Sequence, residues 1–361
     1  MKRERWPSRR LLDLLELDVP IIQAPMAGAH DGELTAAVCA AGGLGSLPCA
    51  MLSPDSAREQ VARIREATNR GFAMNFFCHR LPTADPGTEA KWGERLAPFY
   101  RELEVEFPQS SPVARNPFDE SFCALVEEVR PKVASFHFGL PADDLLQRVR
   151  KTGARILSSA TTVAEARYLE ARGVDAVIAQ GAEAGGHRGM FLADDPAAQI
   201  GTLALVPQIA DAVSVPVIAA GGIADSRGIA AAFALGAAGV QIGTAYLFTP
   251  EARISPLHRD ALRSAQAEDS VLTNVFTGRP ARGIKNRLVR EIGPLSPATP
   301  AFPNAANYVV PLRAKAEAQG SREFTPLWSG QAGPLGRDMP AAELTTRLAE
   351  EALERLNALQ G

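Results

Sequence analysis

The chain has 361 residues, of which 46% are hydrophobic and 22% charged, and a formal net charge of −3 at pH 7. These fractions are typical of a globular protein with a full hydrophobic core, and they exclude a disordered chain. The weak negative charge, with no long basic run after residue 10, argues against nucleic acid as a partner. We therefore expect the ligand to be a small molecule.

The sequence has the features of a soluble, cytoplasmic protein. The basic segment 1–10 continues into a leucine-rich stretch that Asp13 and Glu16 interrupt, so it does not resemble a secretory signal. No stretch approaches the roughly 18 apolar residues of a membrane-spanning helix. The four cysteines are neither paired nor densely spaced, which favours buried free thiols in a reducing compartment. The oligomeric state stays open.

Short apolar segments alternate with helical patterns between residues 19 and 244. Most of these segments are continuously apolar, which is typical of parallel strands covered by helices. Thr162 and Glu165 predict a capping box, and Pro207 is placed for the first turn of its helix. The eight predicted strands lie at residues 19–28, 42–47, 72–77, 133–139, 154–159, 175–179, 215–223 and 239–244. The helices between them are predicted at residues 32–41, 53–70, 121–130, 142–152, 163–172, 203–213 and 227–235.

Eight such units predict an α/β fold, a closed (β/α)8 TIM barrel, with a doubly wound open sheet as the alternative. Segment 80–118 is rich in proline and charge, and we interpret it as an excursion over the barrel mouth that is helical only at 89–103. After residue 249 the alternation ends, with one further helix at 259–268 before an amphipathic helix at 341–359. We expect residues 1–248 and 323–361 to form the barrel, and residues 249–322 to form a smaller, mainly helical lid domain inserted after the eighth strand.

A glycine-rich segment, here named the histidine loop (residues 179–189), begins at the end of the sixth predicted strand. Its glycines permit positive φ angles and a close approach of a ligand to the backbone. His187 lies near its end, and an imidazole, with an ordinary pKa of about 6.5, can serve as base, acid or neutral hydrogen-bond partner near pH 7. Spacing alone leaves His187 open as either a surface residue or a catalytic one.

Glycines also end the seventh and eighth predicted strands, at Gly221-Gly222 and at Gly243. In (β/α)8 barrels the ligand site lies at the carboxyl ends of the strands, and phosphate typically binds after strands seven and eight. Backbone N–H groups and a helix N-terminus there would hold a phosphate. Either glycine motif alone is compatible with a tight turn, but their corresponding positions on neighbouring strands favour a phosphate site.

These motifs, taken together, resemble the nitronate monooxygenase family. The resemblance is carried by residues 24–28, 180–189, 219–225 and 241–244, with further likeness at 135–141 and 328–331. It implies FMN as cofactor, dioxygen as oxidant and no metal. The implied reaction oxidises alkyl nitronates, such as propionate 3-nitronate, to an aldehyde or ketone and nitrite.

The resemblance also implies roles for particular residues. His187 corresponds to the active-site histidine, a base for carbon acids or a partner for the nitronate anion. His137, at the end of the fourth strand, and Tyr308, in the inserted segment, are substrate-facing candidates. The alternative for His137 is a hydrogen-bonded histidine at the barrel mouth, and for Tyr308 it is a surface residue. Cofactor contacts are implied for Ala24, Pro25, Met26, Asn75, Gln180, Gly185, Gly221, Gly222, Gln241, Ile242, Gly243 and Thr244.

Two other functions compete with this one. The histidine loop and the phosphate glycines are shared broadly among flavin barrels, so an NAD(P)H-dependent quinone reductase or enoyl reductase is an alternative. A non-catalytic flavin-binding or sensor protein is the second alternative. The sequence shows no additional signalling domain that would favour this second alternative.

Overall fold

The computed structural model describes residues 5–83, 85–108 and 116–359. Part of the basic N-terminal segment (residues 1–4) and part of the predicted excursion (residues 84 and 109–115) lie outside the described residues. Within the described ranges, no helix is both long enough and apolar enough to span a bilayer.

Strands of the described residues alternate with helices, as the sequence patterns predict for the first part of the chain. In chain order the strands are β1 (Ile21–Gln23), β2 (Ser46–Pro48), β3 (Ala73–Phe77), β4 (Val133–His137), β5 (Arg155–Ala160), β6 (Ala176–Gln180), β7 (Gly186–His187), β8 (Val217–Ala220), β9 (Gly239–Ile242), β10 (Ser270–Thr273) and β11 (Ala281–Ile284). The α-helices are α1 (Arg10–Leu15), α2 (Gly32–Ala40), α3 (Pro54–Ala67), α4 (Pro86–Glu102), α5 (Glu120–Val129), α6 (Asp143–Lys151), α7 (Val163–Ala171), α8 (Thr202–Ala212), α9 (Ser226–Ala234), α10 (Pro256–Ser264), α11 (Arg287–Ile292), α12 (Ala305–Ala318) and α13 (Ala341–Ala358).

Eight of the strands form one parallel sheet, in the spatial order β1-β9-β8-β6-β5-β4-β3-β2. The two end strands are joined by a parallel bridge between Ile22 and Leu44. There the Leu44 N–H donates to the Ile21 carbonyl (3.0 Å), and the Gln23 N–H donates to the Leu44 carbonyl (2.9 Å). This bridge closes the sheet into a barrel, which confirms the predicted TIM barrel and excludes the open doubly wound sheet.

Several predicted boundaries and caps differ from the observed ones. Pro207 lies inside α8, and not in its first turn, because that helix begins at Thr202. Thr162 caps α7 by accepting from the Glu165 N–H (3.2 Å), but the Glu165 carboxylate accepts from the Thr161 N–H (2.7 Å). The carboxylate therefore holds the preceding turn rather than completing a capping box. Helix α10 begins at Pro256, earlier than predicted, because the Ser255 hydroxyl caps it.

The segment after β9 contains an antiparallel hairpin, β10–β11, that the sequence patterns did not predict. Strand β11 also pairs with β7, so that Ala281 lies opposite His187 and Arg282 opposite Gly186. These three strands form a small second sheet. It joins the histidine loop of the barrel to the segment that follows the barrel strands.

A second hydrophobic cluster packs outside the barrel core. It combines side chains of α4, from the predicted excursion, with side chains of α11 and α12. The Tyr100 hydroxyl on α4 donates to the Tyr308 carbonyl on α12 (2.6 Å). Segment 86–103 therefore packs on the segment after β9, while the division into a barrel (1–248 and 323–361) and an inserted unit (249–322) stays a prediction. The buried members are Trp92, Leu96, Phe99, Tyr100, Val275, Phe276, Leu288, Val289, Val309, Leu312, Ala316 and Phe324.

The last helix, α13, packs against α2 and α9 on the outside of the barrel. Its apolar positions follow helical spacing, and Leu348 is fully buried, whereas Leu359 at the end of the helix is 74% exposed.

We predict that Leu348→Ala lowers the free energy of unfolding by about 2–5 kcal/mol, because it leaves a cavity in the core. Leu359→Ala should change it by about 0.5 kcal/mol or less. Urea unfolding followed by circular dichroism measures both, and equal effects would contradict the docking of α13.

Candidate active site

A cavity of about 440 Å³ lies at the carboxyl ends of the barrel strands. This volume falls within the range of small-molecule and cofactor pockets. Its wall combines barrel loops with residues from the segment after β9, among them His258, Arg313 and Trp328. Of the residues singled out in the sequence, the lining includes Ala24, Pro25, Met26, Asn75, His137, Gln180, Gly185, His187, Gly221, Gly222, Gln241, Gly243 and Thr244.

Two of the candidates from the sequence lie outside this lining. Ile242 pairs with Gln23 between β9 and β1, and its side chain is buried in the barrel core. Tyr308 belongs to the second hydrophobic cluster, and its hydroxyl donates to a Glu89 carboxylate oxygen at 3.1 Å. The structure therefore does not bring the side chain of Ile242 or Tyr308 to the other candidate residues.

The glycines that end β8 and β9 line the cavity without side chains. Gly221 and Gly222 have φ angles of +108° and +69°, which L side chains rarely adopt. A Cβ atom on Gly243 would lie 3.4 Å from the Ala24 Cβ and 3.7 Å from the Met26 Sδ. The backbone thus forms an open cradle between the ends of β1, β8 and β9, beside the N-terminus of α9.

The turn that carries residues 24–26 is fixed by a pair of buried polar side chains that the sequence analysis did not single out. His30 Nε2 accepts from the Met26 N–H (3.2 Å) and lies 2.9 Å from Gln23 Nε2. Because Nε2 accepts, the ring proton lies on Nδ1, which is 3.1 Å from the Asp31 carbonyl. Burial lowers the pKa of His30 to about 4, so the ring stays neutral at pH 7.

Arg188, whose side chain is fully buried, fixes the backbone of the histidine loop by hydrogen bonds. Its guanidinium donates to the carbonyls of Gln180 (2.7 Å) and Gly181, and to Gln199 Oε1 (2.9 Å). Burial lowers the pKa of Arg188 to about 10, and the group remains a cation at neutral pH. The Gln180 amide spans the loop, accepting from the Gly189 N–H (2.7 Å) and donating to the His187 carbonyl (3.0 Å).

His187 lies in β7, with its ring inside an aromatic enclosure. The ring centroid is 5.3 Å from that of Phe302 and 5.6 Å from that of Trp328, and 6.1 Å from that of Phe77. His187 Nε2 lies 2.9 Å from the hydroxyl oxygen of Thr277, in the loop between β10 and β11. The sequence patterns do not indicate Thr277, because they do not predict the hairpin that carries it.

His137 lines the same cavity, and the structure assigns its tautomer. Its Nε2 is 3.2 Å from the His187 carbonyl oxygen, which can only accept, so Nε2 carries the proton. Its Nδ1 then accepts from the Ser159 hydroxyl at 2.7 Å. Burial, with the nearby Arg279 cation, lowers the pKa of His137 to about 3. His137 is therefore neutral at pH 7, and both ring nitrogens hold protein groups.

Across the ranges that the structure describes, no group of three or more His, Cys, Asp or Glu side chains is arranged to hold a metal ion. The cysteines Cys39, Cys49, Cys78 and Cys123 are free thiols. Burial raises the pKa of the Cys39 thiol to about 11, so it is protonated at neutral pH.

A closed parallel barrel, a cavity at the carboxyl ends of its strands and a glycine cradle beside a helix N-terminus define a (β/α)8-barrel enzyme. The nitronate monooxygenase family model matches residues 8–351, and the chain belongs to this family. It is 42% identical over 356 residues to a nitronate monooxygenase of Paraburkholderia phytofirmans, an alignment that covers 98% of this chain and 97% of the relative. Family membership makes the chain an oxidoreductase and supports the oxidation of nitronates.

Two solved structures are also similar to this chain. The nitroalkane oxidase of Streptomyces ansochromogenes is 40% identical, with a TM-score of 0.88, over 97% of this chain and 99% of that one. FabK of Thermotoga maritima is 29% identical, with a TM-score of 0.75, over 99% of each chain.

Proposed function

We propose that the chain is an FMN-dependent nitronate monooxygenase. It uses O2 to convert alkyl nitronates, such as propionate 3-nitronate, to an aldehyde or ketone and nitrite. The observation that carries this proposal is that His187 and the glycine cradle line one cavity. That arrangement joins a residue able to bind or form an anion to a cradle suited to a cofactor phosphate.

The residues of the cavity fit FMN. Gly222 and Gly243 present backbone without side chains to the cavity, and backbone N–H groups beside a helix N-terminus suit a phosphate. We assign the phosphate to Gly222 and residues 241–244, and the ring system to residues 24–26 and Asn75. The Gln180 amide forms hydrogen bonds within the histidine loop. We therefore propose that it also contributes to the cofactor site by fixing the shape of this wall of the cavity. When bound, FMN would supply the redox chemistry that oxidises the nitronate and reduces O2.

His187 serves one of two roles, according to the form in which the substrate arrives. A nitronate is already an anion, and the imidazole then binds and orients it. A neutral nitroalkane must first lose its α-proton, and His187 is the base in that case. The rings of Phe77, Phe302 and Trp328 lie around the imidazole.

Anaerobic mixing of the FMN-loaded protein with different reductants tests the reaction. We predict that a nitronate bleaches the flavin absorbance rapidly, whereas NADH and NADPH do not. Aerobic turnover of the same nitronate should release nitrite. Rapid bleaching by NADH or NADPH alone would favour a quinone or enoyl reductase, and no reduction by any of the three would favour a non-catalytic flavoprotein.

Replacement of Gly222 by valine tests the phosphate cradle. We predict that Gly222→Val abolishes FMN retention, because the side chain, whose Cβ would lie 3.4 Å from the Glu183 Cβ, crowds the wall of the proposed phosphate site. Gly320→Val is the matched control, since Gly320 also has a positive φ (+76°) but lies away from the cavity with no atom near its Cβ direction. Both variants bear the same kind of backbone strain, about 1–2 kcal/mol. Flavin absorbance after gel filtration reports occupancy, and a fully flavinated Gly222→Val protein would contradict the assignment.

Replacement of His187 by asparagine tests the role of the imidazole. We predict that His187→Asn lowers turnover of neutral nitroalkanes by about 10²–10⁴-fold, the contribution of a positioned base. A preformed nitronate should be oxidised with a much smaller loss, because no proton has to be removed. Nitrite release is measured for both substrates with the flavin absorbance held equal. Unchanged nitroalkane turnover would show that His187 is not the base.

A further inference from the structure

The part of the cavity wall that follows β9 in the chain carries an arginine. Arg313, on α12, lines the cavity together with His258, Thr325 and Trp328. Burial lowers the pKa of His258 to about 4, and the nearby Arg313 cation acts in the same direction. His258 is therefore neutral at pH 7, so it adds no positive charge beside Arg313.

Of the described residues, three with charged side chains line this cavity, and two of them are bound by groups of the protein. The Glu183 carboxylate accepts from the Thr202 N–H and from the Thr202 hydroxyl, both at 2.8 Å, at the start of α8. Arg253 donates from Nε to an Asp31 carboxylate oxygen (3.2 Å) and from Nη2 to the Glu33 carboxylate. Two acidic groups thus offset the charge of Arg253. The third charged residue is the arginine of α12.

Arg313 is held through one of its three guanidinium nitrogens. Its Nε donates to Glu317 Oε1 at 2.8 Å, and the same oxygen accepts from the hydroxyl of the buried Thr325 at 2.8 Å. Within the described part of the chain, Glu317 is the acceptor of this guanidinium, and Nη1 and Nη2 contact no other acceptor. Two parallel N–H groups on an arginine match the two oxygens of a carboxylate. The guanidinium is therefore fixed on the Nε side and offers a pair of donors on the other.

The segment 325–328 connects this cation to the imidazole of the site. At one end, Thr325 donates to the carboxylate that holds Arg313. At the other end, the ring centroid of Trp328 is 5.6 Å from that of His187. Three residues of chain span about 11 Å at most. The guanidinium and the imidazole thus lie on one wall of the cavity, separated by a length that suits a small ligand with two polar ends.

We propose that Arg313 is a specificity-determining residue, which binds a carboxylate at the end of the substrate remote from the reacting carbon. The inference deepens the proposed function and rests on it for the reaction. It makes a nitronate with a carboxylate tail a better substrate than a nitronate with an uncharged tail. Because Arg313 is remote from the reacting carbon in this assignment, its contact is equal in the ground state and the transition state. Such a contact lowers KM and leaves kcat unchanged.

Two nitronates of nearly equal size test the assignment by kinetics. Propionate 3-nitronate carries the carboxylate, and the nitronate of 3-methyl-1-nitrobutane carries an isopropyl group in its place. We predict that Arg313→Met raises KM for propionate 3-nitronate by about 10-fold or more, the loss expected for a hydrogen bond to a charged group. We expect kcat for this substrate, and KM for the uncharged nitronate, to change by less than about threefold. Arg313→Lys should retain part of the preference, because it keeps the charge but not the paired donors.

Succinate tests the same contact without turnover, because one of its carboxylates resembles the planar nitronate anion and the other resembles the tail. Calorimetric titration of the FMN-loaded protein should give a Kd for succinate that Arg313→Met raises by about 10-fold or more. Arg347→Met is the matched control and should leave this Kd unchanged. Arg347 is also partly exposed and pairs with a glutamate one turn away, Glu343 at 2.9 Å, but it lies on α13 and outside the cavity lining.

The remaining outcomes separate this inference from the proposed function. Equal rises in KM for both nitronates, no rise for either, or no binding of succinate to the wild type would overturn the role of Arg313. Loss of FMN from Arg313→Met, measured as flavin absorbance after gel filtration, would assign the arginine to the cofactor and would also overturn it. A wild-type protein that binds succinate through Arg313 but oxidises neither nitronate would contradict the proposed function, while the carboxylate site would stand.

Discussion

The buried guanidinium of Arg188 is the constraint on which the active-site wall depends. The histidine loop turns back over the end of β6, so the carbonyls of Gln180 and Gly181 point into protein rather than into solvent. Arg188 donates to both, and the Gly181 carbonyl also accepts from the Ala184 N–H (3.1 Å). The Gln180 carbonyl would cost roughly 1–3 kcal/mol if left buried without a partner. Because Arg188 follows His187 in the chain, the same cation also anchors the backbone beside the imidazole.

A second sheet then joins this loop to chain that follows the barrel. β7 pairs with β11, and the Arg282 side chain of β11 donates to the Ala182 carbonyl at 2.9 Å. The segment around Gly330 also contacts the loop, since the Gln331 N–H donates to the Glu183 carbonyl. Its Gly330 N–H donates to the hydroxyl of Thr244, at the end of β9. The histidine loop is thus fixed between the barrel and two later segments, which gives a small active-site element a rigid frame.

The barrel could be predicted from the sequence, and the frame around His187 could not. Barrel strands are buried on both faces, so they appear in the sequence as apolar runs such as residues 176–179. Such a run predicts a strand from the local sequence alone. β7 is only Gly186–His187, too short for any periodic pattern, and its pairing with β11 joins segments far apart in the chain. Thr277 is ninety residues from His187, in a loop whose residues have no distinguishing pattern. Tyr308 has a side chain that could contribute to a site, but the packing of α12 on α4 places it in the second hydrophobic cluster.

These differences divide the cavity into two parts with different origins. The glycine cradle belongs to the barrel itself, because the ends of β8 and β9 are backbone features that the fold brings together. The enclosure of His187 is made of side chains. Phe77 belongs to barrel strand β3, whereas Thr277, Phe302 and Trp328 come from chain after the barrel strands. Substitution of those side chains can change the reaction while the cradle keeps its shape, since a barrel fixes where a ligand binds but not what happens to it. For this chain, the surroundings of the His187 imidazole are therefore set by the hairpin and its neighbours as much as by the barrel.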